Sequence, residues 1–139
     1  MIIIQKILLI VLILLGIGLG QLQAQRITDN LGRTLGYISQ GRVRNQIGTT
    51  IGFIEDGKVK NYIGSTVMYF DQDWIKDHTG FLIASIEGTR IKNRLGETIG
   101  YIYQNRVTDR LGRTVGYFDK VSKIEAVVYF FFFDNIARR

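Results

Sequence analysis

A sixteen-residue period limits what this chain can fold into more than any other feature. From Arg26 the sequence divides without gaps into six units, beginning at Arg26, Arg42, Lys58, Trp74, Arg90 and Arg106 and ending at Val121. The second position of each unit holds Ile27, Val43, Val59, Ile75, Ile91 or Val107, and the fourth holds Asp29, Asn45, Asn61, Asp77, Asn93 or Asp109. The seventh is always glycine: Gly32, Gly48, Gly64, Gly80, Gly96 and Gly112. A unit this short cannot bury its own apolar residues, so neighbours must stack or close into a ring.

Each slot has a mechanical meaning. Asp or Asn followed three residues later by Gly predicts a type I turn, with the side chain accepting from the backbone and glycine taking the strained position that follows. The next six residues, such as 33–38 or 97–102, are rich in β-branched and aromatic types and too short for a stable helix, so they read as strands. A second reversal follows, containing glycine in Gln40-Gly41, Asp56-Gly57 and Glu87-Gly88, as a short hairpin loop requires. With 0 prolines in the chain, every reversal must come from glycine, asparagine or aspartate.

The glycines after residue 25 fall into the seventh position, the hairpin loops, or the eleventh position (Gly36, Gly52, Gly100, Gly116), and none remains for a phosphate-cradling loop. A glycine inside a strand marks a bend or the close approach of another backbone. The functional alternative is a ligand resting on a floor of glycine and the adjacent aromatics. Positions two, ten and thirteen, for example Ile27, Leu35 and Ile38, supply the expected core, while basic residues at position one and polar ones at three, five and eight face solvent. Apolar residues at both odd and even strand positions predict protein contact on both faces of each strand.

The fourth unit departs from this pattern. Trp74 replaces a basic residue, Thr79 an aliphatic one and Leu82 a threonine, and Ala84 and Ser85 stand where glycine and an aromatic belong; Met68 already replaces glycine in the unit before. Repacking at one seam is the plain account. The sharper one is a ligand-binding site on one petal made of Tyr69, Asp71, Asp73, Trp74 and His78, because function is grafted onto scaffolds and asymmetry is a place to look for it.

After Val121 the repeat stops. Residues 124–133 are dominated by apolar types and end in Phe130, Phe131, Phe132 and Phe133, half of the chain's 8 phenylalanines. Eight apolar residues from Ala126 are too few to span a bilayer as a helix. They suit a plug for the hole in a ring of hairpins; left exposed, they would invite a partner. At the other end, Lys6, an apolar run over 7–19 and Ala24 have the three parts of a secretory signal. The expected organisation is therefore a signal peptide over 1–24, a hairpin-repeat domain over 25–121 and an aromatic segment over 122–139 that packs on or plugs it. The expected location is outside the cytoplasm by the Sec pathway: periplasmic, cell-surface or secreted, with no membrane span once the signal is removed.

The formal charge of +6 is scattered along the chain, which predicts a solvated surface and argues against the concentrated patch of a nucleic-acid binder. There is no cysteine, which excludes disulfides and thiolate metal sites. His78 is the only histidine, so a histidine-based metal cluster is excluded, and Asp29, Asp77 and Asp109 are already used by turns. Asp71, Asp73 and Asp77 offer oxygen ligands without the spacing of a calcium loop. The chain thus offers no catalytic set and calls for no cofactor.

The spacing Asx-x-x-Gly-x-x-x-Gly-Tyr-Ile, as in 29–38, together with the alanine-led leader and the aromatic tail, resembles the five-fold β-flower proteins exported by Bacteroidota. That resemblance covers Arg26 to about Phe133. It implies an all-β fold of short hairpins around a pseudo-five-fold axis and carries over no catalytic residues. Counted from glycine to glycine, 33–112 makes five full hairpins with half-units at 26–32 and 113–118. The function expected is a non-enzymatic structural or interaction protein of the bacterial envelope, its partner an envelope protein or a glycan. The alternative is a carbohydrate-binding module that stacks Tyr37, Tyr101, Tyr117 or Trp74 on sugar rings, and a weaker third reading is a surface-assembly component.

Overall fold

The period of the sequence becomes a period of strands. In the computed structural model, which describes residues 3–4 and 25–133, each unit contributes one short and one longer strand. The short strands are β1 (Arg26–Asp29), β3 (Arg42–Asn45), β5 (Lys58–Asn61), β7 (Trp74–Asp77), β9 (Arg90–Asn93) and β11 (Arg106–Asp109). The longer ones are β2 (Thr34–Ser39), β4 (Thr50–Glu55), β6 (Thr66–Phe70), β8 (Leu82–Glu87), β10 (Thr98–Tyr103) and β12 (Thr114–Asp119). Apart from Ile3 and Ile4, the leader read from the sequence lies outside the described residues, as does the stretch 134–139.

All twelve strands form one closed antiparallel barrel in which each pairs with its neighbours in sequence and β1 pairs with β12. The seam has the same register as the other joints: Asp29 faces Gly116 and Ile27 faces Phe118, just as Asn45 faces Gly36 and Val43 faces Ile38. The ring therefore has six units. Five of the short hairpin loops are covalent, and the chain ends form the sixth across the seam. Closure removes the free strand edges that a flat stack of hairpins would expose.

The Asx turns are built as the sequence predicts. At Asp109 the Oδ1 atom accepts from the backbone N–H groups of Leu111 and Arg113, both at 2.9 Å, while the Asp109 carbonyl accepts from Gly112 at 3.0 Å. Gly112 sits at φ +82°, a conformation that costs a side-chain-bearing residue about 1–2 kcal/mol. The turn also sets the strand boundary. Arg33 and Glu97, expected to open strands, are held by Asp29 and Asn93 instead, and the strands begin one residue later.

The inside of the barrel differs from the expected core in one respect. Positions two, eleven and thirteen point inward and are buried, Phe70 being only half-buried, but between the second and third positions the pairing slips by a residue. Ile27 faces Gly36 and Thr28 faces Thr34, so Leu35 is an extra, bulged residue, partly buried and packed against the core. This bulge, repeated in every unit, accounts for the apolar residues at adjacent positions that read as two protein-covered faces. The outer face is not covered: Tyr69 and Tyr101 at position twelve remain 36% and 37% exposed. Thr28 and Thr108, expected in solvent at position three, are buried, on β1 and β11, the two strands that pair with β12.

A short helix, α1 (Lys123–Val127), follows the barrel and continues as a π-helical turn over Val128–Phe133. Ser122 caps it: the Glu125 backbone N–H donates to Ser122 Oγ, and the Ser122 hydroxyl donates to Glu125 Oε1 at 2.9 Å. Ala126, Val127 and Val128 have no exposed surface. Side chains added at Gly52, Gly100 and Gly116 would meet Phe133, Phe131 and Phe130 at 2.5, 2.5 and 2.6 Å. The second, fifth and sixth units thus each seat a phenylalanine on an inward-facing glycine, which puts the aromatic segment inside the barrel. The close approach expected at these glycines is made by the tail as well as by backbone, since the Thr108 carbonyl also lies 2.5 Å from a side chain added at Gly100.

Candidate functional site

The five residues singled out around the junction of the third and fourth units are not all brought together. Asp71 and Asp73 share the β6–β7 loop with the start of β7 at Trp74, and Tyr69 lies on the neighbouring outer wall. His78 belongs to the Asx turn that follows β7, at the opposite end of the barrel. Lys76 Nζ sits 4.4 Å from the centre of the Trp74 ring, and Tyr69 pairs with Lys76 across the strands, so the outer wall here is an aromatic–lysine stack. The loop is tied to the backbone: Asp71 N–H donates to the Trp74 carbonyl at 3.0 Å, and the Asp73 carbonyl accepts from Ile86 at 2.8 Å. Among the described residues, no three His, Cys, Asp or Glu side chains converge as a metal site would require.

A different surface emerges from the topology. In a closed up-and-down barrel, all six Asx turns must lie on one rim and all the short hairpin loops on the other. At the tip of each Asx turn, between the Asx and the glycine, the sixth position is aliphatic in five units. Leu31, Ile47, Ile63, Leu95 and Leu111 are between 69% and 81% exposed. In the fourth unit that position is Thr79, and Phe81, two residues on, is 69% exposed in its place. Tyr62 adds a second aromatic to the rim. One apolar residue at one tip is ordinary, whereas six arranged in a ring are a surface feature.

The charges that look scattered in the sequence are sorted by the same topology. The Asx-turn half, positions three to eight of the units, carries eight lysines and arginines against four carboxylates. The remainder of the described barrel and plug carries seven of each. Three of the four carboxylates on the basic half belong to the turns. Partial withdrawal from water pushes the Asp29 and Asp109 carboxyls up, but the backbone and guanidinium hydrogen bonds from Arg33 and Arg113 outweigh it and hold both below the usual aspartate range. The Thr79 hydroxyl, backed by the Phe81 and Thr79 N–H groups, does the same for Asp77. These anions stay charged and locally occupied.

Inside the same end, a partly open cavity of about 260 Å³ separates the plug from the wall, lined by Leu35, Ile51, Val115, Tyr129, Phe130 and Phe133. Its wall residues are the bulged tenth positions, next to the Asx turns. The first, second and sixth units are adjacent around the ring, so the cavity lies beside the seam.

The sixth-position aliphatics went unrecognised as functional candidates in the sequence, although a signal was there. A turn between Asx and Gly is the place where polar residues are expected, and an apolar one recurs there five times.

A closed ring of repeated hairpins filled by its own tail, with an ordered apolar rim, defines an all-β repeat scaffold. The profile of the 5-fold beta-flower protein family matches residues 24–134, and the chain belongs to that family, which is not a known enzyme family. No curated protein and no solved structure shows significant similarity to it.

Proposed function

We propose that this protein is an exported, non-enzymatic interaction module of the bacterial envelope that engages its partner through the Asx-turn rim. The carrying observation is the ring of tips from Leu31 to Leu111, apolar and exposed on turns that their own Asx residues make rigid. Nothing in the fold requires those positions to be apolar, because they bury nothing within the chain. Export is motivated by the leader pattern over 1–24. A carbohydrate-binding reading has less support: Tyr37, Tyr101 and Tyr117 lie apart on the convex outer wall, each paired with basic residues, and form no concave floor.

The test is site-specific cross-linking in the producing cells. A photoreactive amino acid at Ile47 or Leu95 is expected to give adducts, and the same group at Gln104, on the other rim, to give none. Absence of adducts from both rim positions, with the protein folded and exported, would remove the interaction reading.

A further inference from the structure

We infer that the Asx-turn rim docks on the surface of an anionic phospholipid bilayer, inserting its tips without spanning it. This rests on the interaction reading above and names its partner. Four observations carry it.

The first is shape. The β1–β2, β3–β4 and β5–β6 joints share one register and one bulge, as do their three counterparts, so the five aliphatic tips occupy equivalent places around a closed ring, with Thr79 at the sixth and Phe81 two residues beyond it. A set of apolar points in one plane fits a flat, fluid surface. The tips are separated by polar residues such as Asn30, Gln46 and Arg94 and form no continuous apolar patch of the kind that packs against a protein.

The second is hydrogen bonding. Backbone entering the bilayer interface must satisfy its own polar groups. In these turns Asp109 takes up the N–H groups of Leu111 and Arg113, its carbonyl takes that of Gly112, and its N–H donates to the Arg113 carbonyl at 2.8 Å. Each tip can leave water with few donors unpaired.

The third is charge. The eight-to-four basic excess lies on the same half as the apolar tips; two of its lysines, Lys60 and Lys92, are ion-paired with Glu55 and Glu87 of the other half, which leaves Arg94 and Arg110 as the cations nearest the tips. Exposed Arg94 and Arg110 stand directly beside Leu95 and Leu111, the pairing of apolar anchor and cation that suits anionic headgroups. The fourth is length. Strands of four to six residues are too short to cross a membrane, for which a strand needs about nine to eleven. Among the described residues, no helix is long and apolar enough either.

The chain has no cysteine, so a single one can be introduced into the full-length protein as an attachment point. Ile47→Cys, Leu95→Cys and, as the opposite-rim control, Gln104→Cys are each labelled with an environment-sensitive fluorophore and mixed with phosphatidylglycerol or phosphatidylcholine vesicles. Because the signal is local, any membrane affinity of the N-terminal stretch affects all three proteins alike. The expected result is a blue shift and an emission rise of roughly twofold or more at Ile47→Cys and Leu95→Cys with phosphatidylglycerol only. The control should show neither change. Adding Arg94→Gln and Arg110→Gln should weaken the partitioning roughly tenfold or more, at about one headgroup contact each. No shift at the rim labels, or an equal shift at Gln104→Cys, overturns the inference. Rim cross-links to a protein in cells together with no vesicle shift overturn the lipid assignment and leave the interaction reading standing; loss of both signals removes both.

Discussion

The fourth unit and the other five fold onto the same ring from different residues, and the differences between them are paired. In the regular units, a basic residue at position one faces an aromatic at position twelve, as Arg26 faces Tyr37 and Arg106 faces Tyr117. In the fourth, Trp74 faces Ser85, so the aromatic has crossed to the other strand. The exposed tip moves likewise, from Thr79 to Phe81. Inward, Met68 and Ala84 bring their own side chains where Gly52, Gly100 and Gly116 receive phenylalanines from the tail. The lesson is that the irregular stretch adapts a near-symmetric wall to an asymmetric plug. What the units share, the apolar tip on an Asx turn, is the better guide to function than what one of them changes.

That contrast is broken most severely by making the units alike. Met68→Gly restores the repeat in the sequence, yet it should destabilise the protein by about 2–5 kcal/mol, because it removes a buried side chain 3% exposed and leaves a cavity. The reciprocal change, Gly100→Leu, should cost about 3 kcal/mol or more, since its side chain collides with Phe131 and the Thr108 carbonyl. Urea unfolding at constant slope measures both, and a neutral Met68→Gly would defeat the account of the plug. By contrast, Gly80→Ala and Gly112→Ala should cost about the same in the irregular and in a regular unit, about 1–2 kcal/mol each, because both glycines hold the same left-handed φ (+91° and +82°) with open space around them. A difference larger than about 1 kcal/mol between the two would mean that the fourth turn is not equivalent to the rest.

These examples also mark what the sequence could convey. The Asx turns were legible because all their chemistry lies within five residues: Asp109 holds Leu111, Gly112 and Arg113 wherever the rest of the chain goes. The bulge at Leu35 was not, because it is defined by pairing Ile27 with Gly36 and Thr28 with Thr34, a relation between strands that neither strand carries alone. Closure through Asp29 and Gly116 joins residues from the two ends of the repeat region, and the glycine-to-phenylalanine seating joins the tail to three separate units. Of the candidate site, Asp71, Asp73 and Trp74 were neighbours simply because the chain is continuous there, whereas His78 was separated by a strand that runs the height of the barrel. The basic excess looked dispersed because it recurs every sixteen residues, and a ring with that period gathers it on one half.

A finer test of the paired exchange uses the outer wall. Trp74→Arg alone removes the ring beneath Lys76 and leaves an arginine facing Ser85, whereas Trp74→Arg with Ser85→Tyr rebuilds the pair found in the first and sixth units. The second substitution should recover about 0.2–1 kcal/mol of the loss, the size of one cross-strand pair, in a double-mutant cycle read by thermal or urea unfolding. Simple additivity would show that Trp74 and Ser85 changed independently.

The smallest effect expected concerns what irregular and regular units have in common at the turn. Asp29, Asp77 and Asp109 have folded-state pKa values below their ordinary range, so the stability they contribute is present above the unfolded value of about 3.9 and is lost as pH falls through the lower folded values. Glu125 works in the opposite sense. Burial raises its pKa, so its contribution is fully present below its unfolded value and is lost as pH rises through the folded one. Asparagine fills the same turn position at Asn45, Asn61 and Asn93 and accepts the same backbone hydrogen bonds at Asn45 and Asn93. The triple change Asp29→Asn, Asp77→Asn, Asp109→Asn should therefore leave the fold intact at neutral pH and flatten the fall in melting temperature below about pH 4. If acid sensitivity were unchanged in that variant, the turn carboxylates would not be its source, and Asx chemistry would distinguish the units by geometry alone.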